Sequence, residues 1–534
     1  MNNMLTLTIV VIIYLSVVGF LGYCGYRRTK SALDYLVAGR DIHPFVMSIS
    51  YGASAISTSA IIGFGGAAAL FGLSLLWLTF LTVLFGIIVA FIVFGKRTRK
   101  IGHRLDAHTF PEFLGRRFKS RFIQGASALV IFLFMPLYAA VVLIGAARFI
   151  ETTFFMNFNV ALLIYTLIIC AYVISGGLKG TMYIDAFQGT IMFIGMIILL
   201  AITYLKLGGV APAHQALSQL ATQVPDKLAR IGHLGWTRMP ALGSNIWWTM
   251  ITTFVMGVGV GVLAQPYLAV RFMTVKSAKE LNRAVGMGGV FFLCIIGAAF
   301  IVGALSNVHF FNDPKFGQIS LAVSGGNIDK IIPLYINSAL PAWFVYVFTL
   351  VILSAAMSSS GSQFQALGAA IGRDFFERAI LGGRHNKYTV LATRIGIVLG
   401  VLFAVILGYS LPGNIIAVGT AIFFGICASV FLPSYIGALF WKGMTKAGVI
   451  ASMAVGFLGT AFWLLFIHQK ESEALGLCKF IFNKPSLAPF PWTVIDAIAV
   501  IMPISFVTAV LVSLFTKKLP QEHIDNCFNL KPGK

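Results

Sequence analysis

Residues 50–72 read SYGASAISTSAIIGFGGAAALFG, a stretch apolar enough to lie in a membrane but ill suited to one continuous helix. Ser54, Ser57, Thr58 and Ser59 offer the backbone hydrogen-bond partners that compete with the helical ladder. A second such stretch, MGVGVGVLAQPYLAVRF, spans residues 256–272. There Gly257, Gly259 and Gly261 each cost about 1 kcal/mol in a helix interior and Pro266 about 3 kcal/mol. Taken singly, each stretch reads better as a seam of small residues where helices pack closely.

The surrounding chain settles the solvent. Hydrophobic residues make up 58% and charged residues 10% of 534 positions, with a mean hydropathy of +0.90, well outside the range of soluble domains. A hydrocarbon layer about 30 Å thick takes roughly 20 apolar residues per helix. Thirteen stretches of that kind begin near residues 4, 43, 74, 122, 158, 182, 245, 284, 342, 389, 413, 446 and 491. The first lacks the basic flank and small-residue cleavage site of a signal peptide and reads as a retained span. The two interrupted stretches fall on spans two and seven, five apart. That spacing predicts two inverted repeats, spans two to six and seven to eleven, each opening with a broken helix. Such an arrangement belongs to secondary transporters, in which unwound carbonyls hold a coupling ion at mid-membrane.

Charge supplies the topology. With the N-terminus outside and the C-terminus inside, most of the 39 Lys and Arg fall in inner segments such as 27–40, 96–121, 271–283, 373–394 and 517–534. GKRTRK (95–100) and GRRFKSRF (115–122) are the densest. The net charge of +22 is thus explained by positive-inside topology and contact with anionic lipid, without a nucleic-acid partner. A multi-pass protein of the plasma or inner membrane is expected. The six cysteines are scattered, with no pairing framework or metal-ligand spacing. The loops near 206–244 and 307–341 are long enough for short amphipathic helices or lids. Arg148 and Arg271, near span ends, read as snorkelling anchors.

Acidic residues number 17, nearly all in loops, so Asp185 in GTMYIDAFQGTIMFIG (180–195) stands out within span six. An intramembrane carboxylate marks an ion site or pathway, with a helix-start cap as the plainer reading. In span nine, SAAMSSSGSQ (354–363) places five serines at membrane depth. On a helix Ser358 and Ser362 share a face with Ser359 beside them, close to the Ala355 carbonyl. A face of neutral oxygens suits a hard cation if a second element completes the ligand set. The interrupted span two is that element.

GASAIS (52–57), GGLKGTMYIDAFQG (176–189) and AAMSSSGSQ (355–363), in this order and on these spans, resemble the sodium:solute symporter family. The resemblance runs from about residue 33 to 460. It implies an all-α polytopic fold with the five-plus-five inverted repeat of neurotransmitter-sodium symporters, one extra leading helix and two trailing ones. The expected divisions are a leading helix and loop (1–42), a first repeat (43–210), a loop (211–244), a second repeat (245–440), two trailing helices (441–516) and a tail (517–534). It also implies a co-transported sodium ion held by the carbonyls of Ala53, Ile56 and Ala355 and the hydroxyls of Ser358 and Ser359. Some members bind a second sodium. The matching positions are Asp185, Ser358 and Ser362, but Gly361 stands where the family pattern has another serine.

The solute should lie between the two broken helices and span four, against Ser57, Ser59, Ile62, Tyr138, Val258 and Val262. Proline permeases share Tyr138 but carry an aspartate and aromatic residues where this chain has ASAIS (53–57) and GVGVGV (257–262). A stacked cyclic amino acid and a sugar are therefore both disfavoured, leaving a compact organic carboxylate such as a monocarboxylate or pantothenate. The expected activity is sodium-coupled import by alternating access, not enzymatic turnover. The rivals are a proton-coupled carrier using Asp185 and a membrane sensor built on the same fold. No filter-like loop or charged ring speaks for a channel. One chain suffices for the proposed cycle, and an oligomer is compatible with it.

Overall fold

The computed structural model describes residues 2–29, 31–380 and 389–528. Part of the predicted inner segment 373–394 and of the predicted tail 517–534 therefore lies outside the described residues. The described chain is helical throughout, with no strand and one isolated bridge between Ile42 and Val275.

Eleven helices among the described residues are long and apolar enough to cross a membrane. The count is two short of thirteen because the second half of span two runs on past Gly72 into span three as Ser59–Arg104, and because Phe158–Cys170, ahead of Gly177, is a shorter apolar helix. The apolar run Ser59–Arg104 is broken at Gly72, with φ 69° and ψ −157°. The helix Phe158–Lys206 is broken at Gly177, with φ 58° and ψ −179°. Both are backbone conformations that a residue with a Cβ adopts only under strain. Contact enforces glycine too: a Cβ at position 72 would lie 2.1 Å from the Trp236 carbonyl oxygen, and one at 177 would lie 2.7 Å from the Tyr35 ring.

The first interrupted stretch breaks where the serines predicted. Helix Pro44–Ala55 starts with proline in its first turn and is capped by His43. Its last ladder bond runs from the Ile56 amide to the Gly52 carbonyl at 2.8 Å. Ile56 then turns extended (φ −95°, ψ 94°). The amides of Ala60 and Ile61 go to the Ser57 carbonyl instead, and helix resumes through Ser59–Gly63 and Phe64–Phe71.

The second stretch breaks later than its glycines suggested. Gly257–Gly261 stays helical, and the chain opens at Gln265, extended at ψ 115°, directly before Pro266. A proline disfavours the helical region for the residue before it, so the interruption belongs to the Gln265–Pro266 step. The glycines serve packing: a Cβ on Gly261 would lie 2.8 Å from the Phe424 carbonyl oxygen. The Gln265 side chain donates to the freed Gly261 carbonyl at 3.0 Å.

The serine helix Ala342–Gly368 packs against Pro44–Ala55, Arg121–Phe154 and Phe158–Lys206. The almost wholly enclosed Ile416–Phe440 packs against both the Gly257–Gly261 segment and Arg121–Phe154. The two long loops carry the short helices Val210–Gln219, Asp226–Arg230, Ser320–Val323 and Ile331–Ala339. They seal one end of the first broken helix: Trp236 donates to the Ala69 carbonyl at 2.7 Å, and His233 meets the Leu70 carbonyl at 2.7 Å. All six cysteines are unpaired.

Candidate functional site

The break in the first stretch frees a carbonyl, and the serine helix supplies hydroxyls opposite it. The Ser358 hydroxyl donates to the Ala53 carbonyl at 2.8 Å and also lies 3.3 Å from the Ala355 carbonyl. The Ser359 hydroxyl lies 3.3 Å from the same Ala53 oxygen. Ala53, Ala355, Ser358 and Ser359 are all fully buried. Four of the five residues expected to hold sodium thus meet, and Ile56 is the residue at which the helix carrying Ala53 ends. These oxygens are neutral, and they could share a small cation once the two hydroxyl protons rotate away from Ala53.

One turn along the same helix lies a different constellation. Asp185, about two turns past the Gly177 kink, accepts from the hydroxyls of Ser50 at 3.0 Å and Ser54 at 3.1 Å. It is therefore no helix cap. Ser54 in turn lies 2.9 Å from Ser362. Into this group projects Arg271, with no solvent exposure, so its reading as a snorkelling anchor is overturned. Its guanidinium donates to Asp185 at 2.8 Å, to Ser54 at 2.6 Å, and to Ser50 and Ser362. The sequence signal that could have found it is the rule that a buried carboxylate needs a partner, which by itself does not choose Arg271 over Arg148. Arg148 itself forms an ion pair with Glu151 at 2.9 Å and lies over the Phe158 ring at 4.1 Å.

A cavity opens on the other side of the break. It is lined by Ser57, Ser59, Tyr138, Val258 and Val262, five of the six residues expected to face the solute. Ile62 is buried but does not line it. One helical turn separates positions 58 and 62, and here that face meets neighbouring helices: the adjacent Gly63 abuts Ile416, and Thr58 donates to the Val142 carbonyl at 2.7 Å. The cavity also has the aromatic walls that the sequence did not reveal. Phe64, Phe292, Phe300 and Phe424 contribute from three helices, and Phe423 stacks behind Tyr138 at 5.3 Å between ring centroids. Ser57 links the break to this wall, lying 3.3 Å from the Tyr138 hydroxyl while accepting from the Ser59 amide at 3.1 Å. The Ser59 hydroxyl has no hydrogen-bond partner among the described residues. No ionisable carboxylate or amine lines the cavity. A second cavity, bordered by Thr109, Pro266, Tyr267 and Gln365, reaches Ser362 from the opposite side.

The model of the sodium:solute symporter family matches residues 35–456. A sodium/proline symporter 2 of Staphylococcus saprophyticus is 27% identical over 493 residues, covering 89% of each chain. An osmoregulated proline transporter of Bacillus subtilis is 26% identical over 468 residues, covering 85% of this chain and 87% of its own. A sodium/proline symporter of Escherichia coli is 25% identical over 448 residues, covering 84% and 85%. Among solved structures, a Na+-coupled sialic acid symporter in a substrate-bound outward-open state superposes with a TM-score of 0.72. That match is at 16% identity and covers 96% of this chain and 99% of the other, a likeness of fold.

Proposed function

Because this chain belongs to the sodium:solute symporter family, we propose that it imports a compact, proline-like amino acid across the cell membrane together with sodium. Sodium-coupled symport comes with the family; the solute, the seat of the ion and the cycle are the proposal. The observation that carries it is the Ala53 carbonyl, released at a helix break and faced by the hydroxyls of Ser358 and Ser359. Sodium sits there, bound by the carbonyls of Ala53, Ile56 and Ala355 and by the two hydroxyls, and so ties the first broken helix to the serine helix. The solute occupies the cavity beyond Ser57, its ring or aliphatic body against Tyr138 and Phe424, its polar groups on Ser59, Thr420 and the helix break. Two separate cavities, one beyond Ser57 and one reaching Ser362, support a cycle in which the bundle rocks between two openings.

The curated relatives named for proline, and aromatic walls where the sequence showed none, support an amino acid over the monocarboxylate or pantothenate first expected. One observation favours the second reading: no acidic side chain lines the cavity to meet an ammonium group. The polar partners left for it are hydroxyls and the carbonyls of the break. With a zwitterion, one sodium moving through about 100 mV contributes about 2.3 kcal/mol. A tenfold sodium gradient adds about 1.4 kcal/mol, together enough for roughly 500-fold accumulation. For a monoanion the same ion leaves only about tenfold.

The thirteen-span architecture follows if the kinks at Gly72 and Gly177 are span boundaries, giving repeats over 43–210 and 245–440, flanked by 1–42, 211–244, 441–516 and 517–534. The N-terminus is outside and the C-terminus cytoplasmic in this arrangement, and a monomer completes the cycle. The proton-coupled alternative is weakened by the engagement of Asp185 with Arg271. The sensor alternative would require an output domain from a partner.

The test is uptake of labelled proline into proteoliposomes under an inward sodium gradient, with lactate, pyruvate and pantothenate as competitors and as labelled substrates. Sodium-driven proline uptake is expected. Uptake of a monocarboxylate or pantothenate with no effect of proline overturns the amino-acid reading, and uptake driven equally by a proton gradient alone overturns sodium coupling.

A further inference from the structure

We propose that the end of the bundle at which helix Arg121–Phe154 begins carries a built site for one anionic phospholipid, its phosphate in a basic basin and one acyl chain in an adjoining apolar groove. The site is separate from the ion seat and from the solute cavity, and it does not depend on which solute is carried.

The basin, about 600 Å³, is lined by Arg104, Arg116, Lys119, Arg121 and Arg378. Its one carboxylate, Glu112, is buried and already met by Arg116 at 2.6 Å and by Arg373 at 3.0 Å. Among the described residues, Lys119, Arg121 and Arg378 have no acidic partner, and the buried Nε of Arg378 has no hydrogen-bond partner. The basin thus holds positive charge that the protein does not balance.

The groove, about 200 Å³, runs between Arg121–Phe154 and Lys446–Phe462, both of which pack on Ile416–Phe440. Phe122, Ala126, Leu129 and Leu133 line one side at the spacing of a single helical face. Ile450, Met453, Ala454 and Phe457 line the other, and every residue in the lining is apolar. From Phe122 to Leu133 the rise is about 17 Å, close to half of the roughly 30 Å hydrocarbon layer and so to the depth of one acyl chain. Basin and groove join within three residues: Arg121 lines the first, Phe122 and Ile123 the second. The facing helix starts at the exposed Lys446, so both walls of the groove begin at a cation.

A charged basin over an apolar slot matches a molecule with an anionic head and a hydrocarbon tail. A second copy of this chain fits less well, because it carries a net charge of +22 and brings like charge to the basin. A free phosphate leaves the groove uncovered. In place, the headgroup bridges the first turn of Arg121–Phe154 and Arg378, which lies on Ala369–Ile380, the continuation of the serine helix. Occupancy therefore ties two elements of the bundle together.

The experiment is native mass spectrometry of the full-length protein purified in detergent. It is titrated separately with phosphatidylglycerol, with phosphatidylcholine of the same acyl chains and with glycerol 3-phosphate. One phosphatidylglycerol per chain is expected, held at least tenfold more tightly than phosphatidylcholine, with no binding of glycerol 3-phosphate at the same concentrations. Lys119→Gln combined with Arg378→Gln should abolish the preference for the anionic lipid. Ala126→Trp combined with Ala454→Trp, which fills the groove and leaves the basin intact, should weaken phosphatidylglycerol about tenfold. Equal retention of the two lipids overturns the proposal. Glycerol 3-phosphate bound as tightly as the lipid makes the basin a free-phosphate site and overturns it too, as does wild-type binding in both double variants. Should a double variant fail to fold, Lys119→Gln alone, at an exposed side chain, still decides: unchanged preference for phosphatidylglycerol refutes the basin.

Discussion

The Ser358 hydroxyl donates to the carbonyl of Ala53 at 2.8 Å, across 305 positions of sequence. This bond closes the gap between the broken helix and the intact serine helix, and it is the contact that an ion at the proposed seat would have to replace. A carbonyl released from its ladder seeks a donor, and here the donor can turn into a ligand by rotating one hydroxyl.

Removing either hydroxyl should therefore weaken sodium more than solute. Ser358→Ala and Ser359→Ala are each expected to raise the sodium concentration for half-maximal uptake about tenfold or more, the scale of one interaction with a charged group. Uptake measured against sodium concentration, at matched expression, checks this. Unchanged dependence in both variants would contradict the assignment.

Breaking the Asp185–Arg271 pair leaves an unpaired charge in the interior. Asp185→Asn should destabilise the protein by about 3–5 kcal/mol, and Asp185→Asn combined with Arg271→Gln should recover part of the loss. Thermal unfolding in detergent distinguishes the two. A single variant as stable as the wild type would mean that the pair contributes nothing net.

Val262 lines the proposed solute cavity together with Tyr138 and Phe424. Val262→Trp should fill that space and lower solute uptake at least tenfold while sodium binding stays within twofold. Parallel loss of both would place the residue in the ion's site or in folding.

Asp329, in the loop between helices Ala278–Asn312 and Ala342–Gly368, is buried and accepts from the Ile415 amide at 3.1 Å. Burial pushes its carboxyl up to about 6 from 3.8, against the opposing pull of backbone amides at 414–416 and of the Arg148 charge. A raised acid binds its proton more tightly in the folded state, so its contribution is most favourable below about pH 4. It is lost as pH rises through about 6, a change on the order of 2–3 kcal/mol. Asp329→Asn should flatten that part of the melting temperature against pH, and an unchanged profile would refute it.

Replacing Gly72 by Ala should cost about 1–3 kcal/mol, because position 72 has a positive φ and its Cβ would strike the Trp236 carbonyl. Thermal unfolding measures it. A neutral result would show that the loop carrying Trp236 yields at little cost.

Hydrophobicity, glycines and serines speak locally, which is why the membrane setting, the break after Ala55 and the serine face at 358–362 were legible without coordinates. The position of the second break was less so, because glycine in a helix interior has two uses, weakening the ladder and admitting a neighbour, and only the packing of Phe424 on Gly261 tells them apart. Ile62 was misplaced for a related reason: periodicity gives a residue's face on its own helix but not which neighbour covers that face.

The amino-acid order by itself therefore determined that the chain lives in a bilayer, that two of its helices are interrupted, and that one face at 358–362 carries serine hydroxyls. Tertiary structure alone decided that four phenylalanines from three helices would wall one cavity and that Arg271 would reach Asp185, 86 positions away. A side chain's chemistry is written at its own position, whereas the partner that neutralises or covers it is chosen by the packing of segments far apart in the chain.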